Sequence, residues 1–361
     1  MIKRLVRITG AVAAVLVASA AIGRAQTSPN LSLVWSDEFN GPANSAPDPA
    51  KWTFDIGGNG WGNNELESYT NRLNNAFIDG QGNLVIKTMK ESFTGTDGIA
   101  RDYTSARMLT KGLFSQRFGR FEARIKIPFG QGIWPAFWML GANIDTVSWP
   151  ACGEVDIMEN IGSEPSINHG SLHGPGYSGG ASLTGSFTLP TGQRLSDDYH
   201  IFALDWSPNL VQFSVDGNVY ETRTPADVPP GGTWIYDHPF FILMNVAVGG
   251  NFPGSPDSTT VFPQTMLVDY VRVYADTTLT SSPVLITSAL ISGNNIVING
   301  EKFARGAVIL IGGQPGNTKF ISSTVLLGKK LAKRMPRHVP IPIQVSEPGG
   351  QMSNTVMVTR P

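Results

Sequence analysis

Apolar residues recur at every second position in one segment of this chain after another. Phe121, Ala123, Ile125 and Ile127 alternate with Arg120, Glu122, Arg124 and Lys126. A period of two sets one group on a buried strand face and the other on a wet face. His200, Phe202, Leu204 and Trp206 share a face of a second segment. LVQFSV and NVYETR flank Asp216-Gly217, a dipeptide suited to a tight type I′ turn. Further strands are expected at 84–90, 134–140, 154–160, 241–248 and 267–274. No long stretch carries the 3.6-residue period of an amphipathic helix. With 40 Gly and 25 Pro to make turns, the pattern implies an all-β chain built as sandwiches.

The pattern breaks near residue 276. DTTLTSS is polar and aperiodic, and Pro283 follows it. Alternation then resumes in VLITSALISG, NIVING, GAVILIGG and PIPIQVSEPGG, which suggests a small second sandwich. The charge changes with it. Residues 282–361 hold 9 Lys/Arg and 2 Asp/Glu, a net +7. Residues 1–281 hold 18 and 26, a net −8, or −12 once Lys3, Arg4, Arg7 and Arg24 are set aside. The total of −1 excludes a globally basic nucleic-acid binder.

Those four cations belong to a leader. Lys3, Arg4 and Arg7 precede an apolar run from Ala11 to Ile22, and Gly23-Arg24-Ala25 provides small residues for cleavage. This is the layout of a secretory signal over residues 1–25. The run is shorter than the roughly 20 residues of a spanning helix. A secreted protein, extracellular or periplasmic, with no transmembrane segment is expected, and a monomer. Its single cysteine, Cys152, cannot close an internal disulfide and reads as a small buried hydrophobe.

The stretch richest in chemistry is Trp149-Pro150-Ala151-Cys152-Gly153-Glu154-Val155-Asp156-Ile157-Met158-Glu159. Three acids interrupt what is otherwise a buried strand, and desolvating carboxylates is costly. A solvated edge would not carry Val, Ile and Met between them. A calcium site would draw on loop carbonyls and Asp more than on strand Glu. Glu154 and Asp156, two apart, share a face. Glu159, five from Glu154, would point away unless a bulge at Ile157–Met158 added a residue and turned it back. Two Glu carboxyls on one face could then approach the separation of about 5–5.5 Å used by retaining glycosidases, with Asp156 between them. Trp134, Trp138 and Trp149 cluster around this strand in sequence, and Trp61 lies in GWGNNEL. Indoles stack on the C–H faces of sugars, while Asn63, Arg107 and His173 could meet their hydroxyls. Each indole taken singly could equally be core.

In the order WSDEFNG, GWGNNELESYT, YTSARMLT, GRFEARIKIPFGQGIWPAFWMLG, WPACGEVDIMEN, HGPGYSGG and VDYVRVY, the chain resembles glycoside hydrolase family 16. The likeness runs from about Val34 to Tyr274 and is to bacterial laminarinase-like endo-β-1,3-glucanases. It implies a β-jelly roll with a concave glycan cleft over residues 26–276, a linker at 277–283, and no cofactor for catalysis. It implies Glu154 as nucleophile, Glu159 as acid/base and Asp156 as the assisting carboxylate. Asn63, Arg107, Trp134, Trp138, Trp149 and His173 are the implied sugar contacts. Glu38, Gly82 and Asp269 match positions that hold a structural calcium in many members. Residues 284–361 resemble an immunoglobulin-like IPT/TIG module. It has no Trp or Tyr for a sugar platform, so a spacer role is expected. Attachment through Lys329, Lys330, Lys333, Arg334 and Arg337 is the alternative. The expected substrate is a β-1,3-glucan. A mixed-linkage glucanase, a galactan hydrolase and a non-catalytic glucan-binding protein stay open as rivals.

Overall fold

A computed structural model describes residues 31–276, 284–347 and 352–361. The leader over 1–25 and the linker at 277–283 lie outside the described residues. Among those described, the only α-helix is a four-residue turn, Ile144–Val147.

Residues 31–276 form two stacked sheets, one of ten strands and one of seven. The ten-stranded sheet holds the alternating strand Gly119–Lys126 between His200–Ser207 and Gln264–Asp276. Phe121, Ala123 and Ile125 are buried, as their period of two requires. The hairpin expected at Asp216-Gly217 joins Leu210–Val215 to Asn218–Arg223, with φ of 50° and 77° at the two turn residues. Pairing is antiparallel except where Glu67–Tyr69 runs parallel to Ala100–Ser105. The strand expected at 267–274 is longer, Gln264–Asp276, and spans Leu84–Thr94, Gly119–Lys126 and Leu31–Asp37.

The seven-stranded sheet positions the acids. Its central strands are Ile167–His173, Glu154–Glu159, Ile133–Gly141 and Phe240–Val248 in spatial order. Ile133, Phe137 and Met139 point into the core with Val155, Ile157 and Met158. Trp134, Ala136, Trp138 and Leu140 point the other way and line a cleft. All nine residues of Phe240–Val248 are buried, which suits a strand covered on both faces. Trp206 ties the layers together with edge contacts to Phe118 and Phe240, at centroid distances of 5.2 and 5.4 Å. Cys152 is fully buried and unpaired, as a small hydrophobe should be.

Residues from Val284 onward form two four-stranded sheets around a core of their own, including Ile286, Ile298, Phe303, Ile309, Leu326 and Val345. The arrangement is consistent with the small sandwich that alternation predicts.

Candidate active site

The acid strand Glu154–Glu159 carries its apolar residues inward and its acids outward. Against Ile133–Gly141 the register runs Asp156 opposite Trp138, then Met158 opposite Phe137. Ile157 is therefore the additional residue, and the ladder with Ile167–His173 shifts at the same place. The bulge predicted from spacing is present, and it turns Glu159 onto the face shared by Glu154 and Asp156. All three line one cleft of about 840 Å³.

Each acid has its own polar neighbour. The Trp149 indole N–H donates to Glu154 Oε2 at 2.7 Å, and the Trp134 N–H to Glu159 Oε1 at 3.0 Å. His173 Nε2 lies 2.9 Å from Asp156 Oδ2 and 3.9 Å from Glu154 Oε1. The Gly179 N–H donates to His173 Nδ1 at 3.1 Å, so a neutral His173 carries its proton on Nε2, the nitrogen nearest Asp156.

Burial, then the charge of Asp156, pushes Glu154 up to about 8; His173, the Trp149 N–H and Arg107 oppose the shift. Burial pushes Asp156 up to about 7, tempered by a hydrogen bond with Glu154. Glu159 is raised well above the usual carboxylate range by burial and then by the charges of Asp156 and Glu154. Near neutral pH the cluster thus holds protons that free carboxyls would have lost. A stability consequence follows. A carboxyl whose folded pKa is raised contributes stability below its unfolded value near 4.5 and loses it as pH rises towards 8. Glu154→Gln is neutral throughout, so it should gain on the parent between pH 5 and pH 9. About 2 kcal/mol is expected, or roughly 4–8 °C at the upper end of that range, read as melting temperature against pH. A difference that stays constant with pH would count against the buried cluster.

On one side of the acids the cleft is aromatic. The Arg107 guanidinium lies between the rings of Trp61 and Trp138, at 5.0 and 4.7 Å from their centroids, and Asp55 pairs with it at 3.0 Å. Asn63, Arg107, Trp134, Trp138, Trp149 and His173 all line the cleft with the acids. Trp149 is 47% exposed, which leaves its ring available to a ligand.

Sequence reasoning missed a polar layer beneath this wall. Asn63 Nδ2 and the Tyr69 hydroxyl both donate to Glu65, at 3.1 and 2.9 Å. Asn245 Nδ2 donates to the Tyr69 oxygen at 3.1 Å, and the Trp138 N–H donates to Asn245 Oδ1 at 2.8 Å. Glu67 is fully buried, accepts the Val248 N–H at 2.6 Å and is raised by burial and by Glu65. Two signals were there to find. Asn245 is the one polar residue in FFILMNVAV, and Glu65 and Glu67 alternate into a buried strand. His169, Ser171, Thr184, Asn251 and Phe252 also line the cleft, from segments with no motif of their own.

The residues matched to a calcium site are placed otherwise. Glu38 accepts two hydrogen bonds from Arg272, at 3.0 and 2.7 Å, and Asp269 accepts one from Arg124 at 2.7 Å. Gly82 sits in a neighbouring turn at φ 91°. With each carboxylate neutralised by its own guanidinium, the set as placed does not fit a divalent cation, which needs free oxygens.

An acid triad on a bulged strand, with Asp156 buried and both Glu residues half-buried under a wall of indoles, is the arrangement of a polysaccharide hydrolase. The sequence pattern of the glycosyl hydrolases family 16 matches residues 65–272. The chain belongs to that family. A beta-glucanase of Rhodothermus marinus is 39% identical to this family 16 chain over 285 residues, 76% of this chain and 96% of that protein. The laminarinase catalytic domain of Thermotoga maritima MSB8 is 48% identical, with a TM-score of 0.65 over 68% of this chain and 99% of that one. An endo-beta-1,3-glucanase of Pyrococcus furiosus is 47% identical, with a TM-score of 0.65 over 68% of this chain and 94% of that one. Family 16 catalysis needs no cofactor, and among the described residues no helix is long and apolar enough to cross a membrane.

Proposed function

We propose that the chain is a retaining endo-β-1,3-glucanase, exported as a monomer through its 1–25 leader and divided into a hydrolase domain over 26–276, a linker at 277–283 and a second sandwich over 284–361. The observation that carries the reading is the bulge that sets Glu154, Asp156 and Glu159 on one face of a cleft walled by tryptophan. The relatives named beta-glucanase, laminarinase and endo-beta-1,3-glucanase support the choice of substrate.

Glu154 is the nucleophile. It reacts as its carboxylate, the form that His173, the Trp149 N–H and Arg107 favour, after losing the proton that burial and Asp156 hold on it. Glu159, whose carboxyl is held well above the usual range by burial and by the charges of Asp156 and Glu154, is the acid. Glu154 oxygen bonds the anomeric carbon as the glycosidic C–O bond breaks, and the Glu159 proton goes to the leaving oxygen. Water then attacks the glycosyl-enzyme, Glu159 takes its proton, and the Glu154–carbon bond breaks, so the configuration is retained. Asp156, with His173 Nε2 2.9 Å from its Oδ2, sits between the two and couples their charges. Asn63, Arg107, Trp134, Trp138, Trp149 and His173 hold the glucan.

The test is reducing-sugar release from laminarin, curdlan, lichenan, agarose and carrageenan, with NMR of the first anomer formed. Laminarin should be cleaved fastest, by at least about tenfold over the galactans, and the β-anomer should form first. Initial α-anomer would mean inversion. Preference for agarose or carrageenan would move the specificity to galactans, and laminarin binding without cleavage would make the chain a glucan-binding protein.

A further inference from the structure

Lys329 to Arg337 reads K-K-L-A-K-R-M-P-R, and the structure sorts the run into two kinds of residue. Leu331, Ala332 and Met335 are about 2% exposed or less and plug the core of the C-terminal unit. Lys329, Lys330, Lys333, Arg334 and Arg337 are all exposed. The apolar plugs hold the turn in place, so the five cations are forced outward. Three hydrogen bonds fix the turn further. Lys329 N–H donates to Asn317 O at 2.8 Å, Lys330 N–H to Asn295 Oδ1 at 2.9 Å, and Arg334 Nη1 to Pro315 O at 2.9 Å. Arg360 lies beside Arg337 across an isolated bridge and adds a sixth cation.

Among the described residues none of these cations pairs with a carboxylate, and no ion pair joins the unit to residues 31–276. The unit offers little to neutralise them. Its two acids are Glu301 and Glu347, and Glu347 is buried and accepts the Ala304 N–H at 3.0 Å. Holding like charges together without counter-charge is unfavourable unless a partner supplies it.

We propose that this turn is a docking surface for an anionic polysaccharide, one with carboxylate or sulfate groups along its chain. The unit has no Trp or Tyr; of its two Phe, Phe303 is buried and Phe320 is half-buried against the core with Arg305 5.6 Å from its ring centroid, so neither bases nor neutral sugar rings find an open stacking platform. Recognition is left to charge. Residues 31–276 carry 14 Lys/Arg and 26 Asp/Glu, a net −12, and repel the same polymer. The hydrolase cleft therefore stays free for its neutral glucan while the second unit holds the enzyme on a charged matrix. The choice of a polysaccharide over another polyanion rests on the glucanase reading, and a separate laminarin assay tells the two failures apart.

The experiment is affinity electrophoresis of the whole mature chain in native gels containing alginate, carrageenan or laminarin. The parent is compared with a variant in which Lys329, Lys330, Lys333, Arg334 and Arg337 are all Gln. Alginate or carrageenan should retard the parent, laminarin bound through the second unit should not, and about 1 M salt should abolish the retardation as the Debye length falls to about 3 Å. The variant should bind the anionic polymers at least about tenfold more weakly and hydrolyse soluble laminarin at the parent rate. A second variant that changes only Lys329, Lys330 and Lys333 to Arg keeps the charge and should bind as the parent does, which separates charge from folding. The proposal is overturned if neither polymer retards the parent, if the Gln variant is retarded equally, or if DNA or phosphatidylserine vesicles bind more tightly than either polysaccharide. It is also overturned if the Gln variant melts lower than the parent in low salt and neither polymer binds, which would mean the turn docks on its own acidic domain.

Discussion

Glu154→Gln and Glu159→Gln are each expected to lower turnover of laminarin by at least about 10³-fold while binding is retained. General acid catalysis alone contributes about 10²- to 10⁴-fold, and a missing nucleophile removes the covalent route altogether. The amide is close to an isostere, so the Trp149 and Trp134 N–H groups, at 2.7 and 3.0 Å, keep an oxygen to bond. The two variants differ in one respect. An activated aryl glycoside needs no proton on its leaving oxygen, so it should restore the first step in Glu159→Gln and leave Glu154→Gln inactive. Asp156→Asn should lose less than Glu154→Gln, because Asp156 modulates charge without touching the anomeric carbon. The reverse order would move the nucleophile to Asp156. Near-parent turnover in either Glu variant would remove it from the mechanism.

Gly141→Ala is expected to damage both stability and rate. A Cβ there would lie 1.9 Å from Cys152 O, 2.6 Å from His238 Nε2 and 2.9 Å from Asn143 Oδ1. The nearest atom is backbone and cannot rotate away. Gly141 N–H also donates to Gly153 O at 3.2 Å, and His238 Nε2 meets Cys152 O at 3.0 Å. The Cys152–Gly153 segment would have to move, and Glu154 follows it directly. Overpacking costs about 1–3 kcal/mol, and a backbone clash belongs at the top of that range, a drop of about 6–12 °C. Displacing a catalytic group by about 1 Å can cost 10²-fold, so kcat/KM should fall by at least about tenfold. Melting temperature and rate both equal to the parent's would show that this contact does not hold the acid strand.

Local pattern made much of the fold and the heart of the site legible. The period of two in Arg120–Ile127 required a strand with one dry face, and Asp216-Gly217 required a turn with positive φ at both residues. The acid strand was readable for the same reason. Val155, Ile157 and Met158 could only face a core, and one inserted residue was then needed to keep Glu159 with Glu154 and Asp156. Such rules act over a few residues, where the backbone itself ties position to face.

What only the tertiary structure decided is which distant groups meet. Trp134 and Trp138 read as stacking platforms. In the fold their N–H groups also hold Glu159 and Asn245, 25 and 107 residues away. Asn63 read as a sugar contact but is itself held by buried Glu65, whose other partner, Tyr69, reaches Asn245 176 residues on. Glu38 and Asp269 read as ion ligands and are instead taken by Arg272 and Arg124. The raised carboxyls of Glu154, Asp156 and Glu159 depend on low-dielectric surroundings assembled from both flanking strands, and that environment exists only after the sheet has closed around them. Period and turn chemistry decide the face a residue occupies; sheet order and register decide its neighbours, and the site's hydrogen bonds and proton affinities are properties of neighbours.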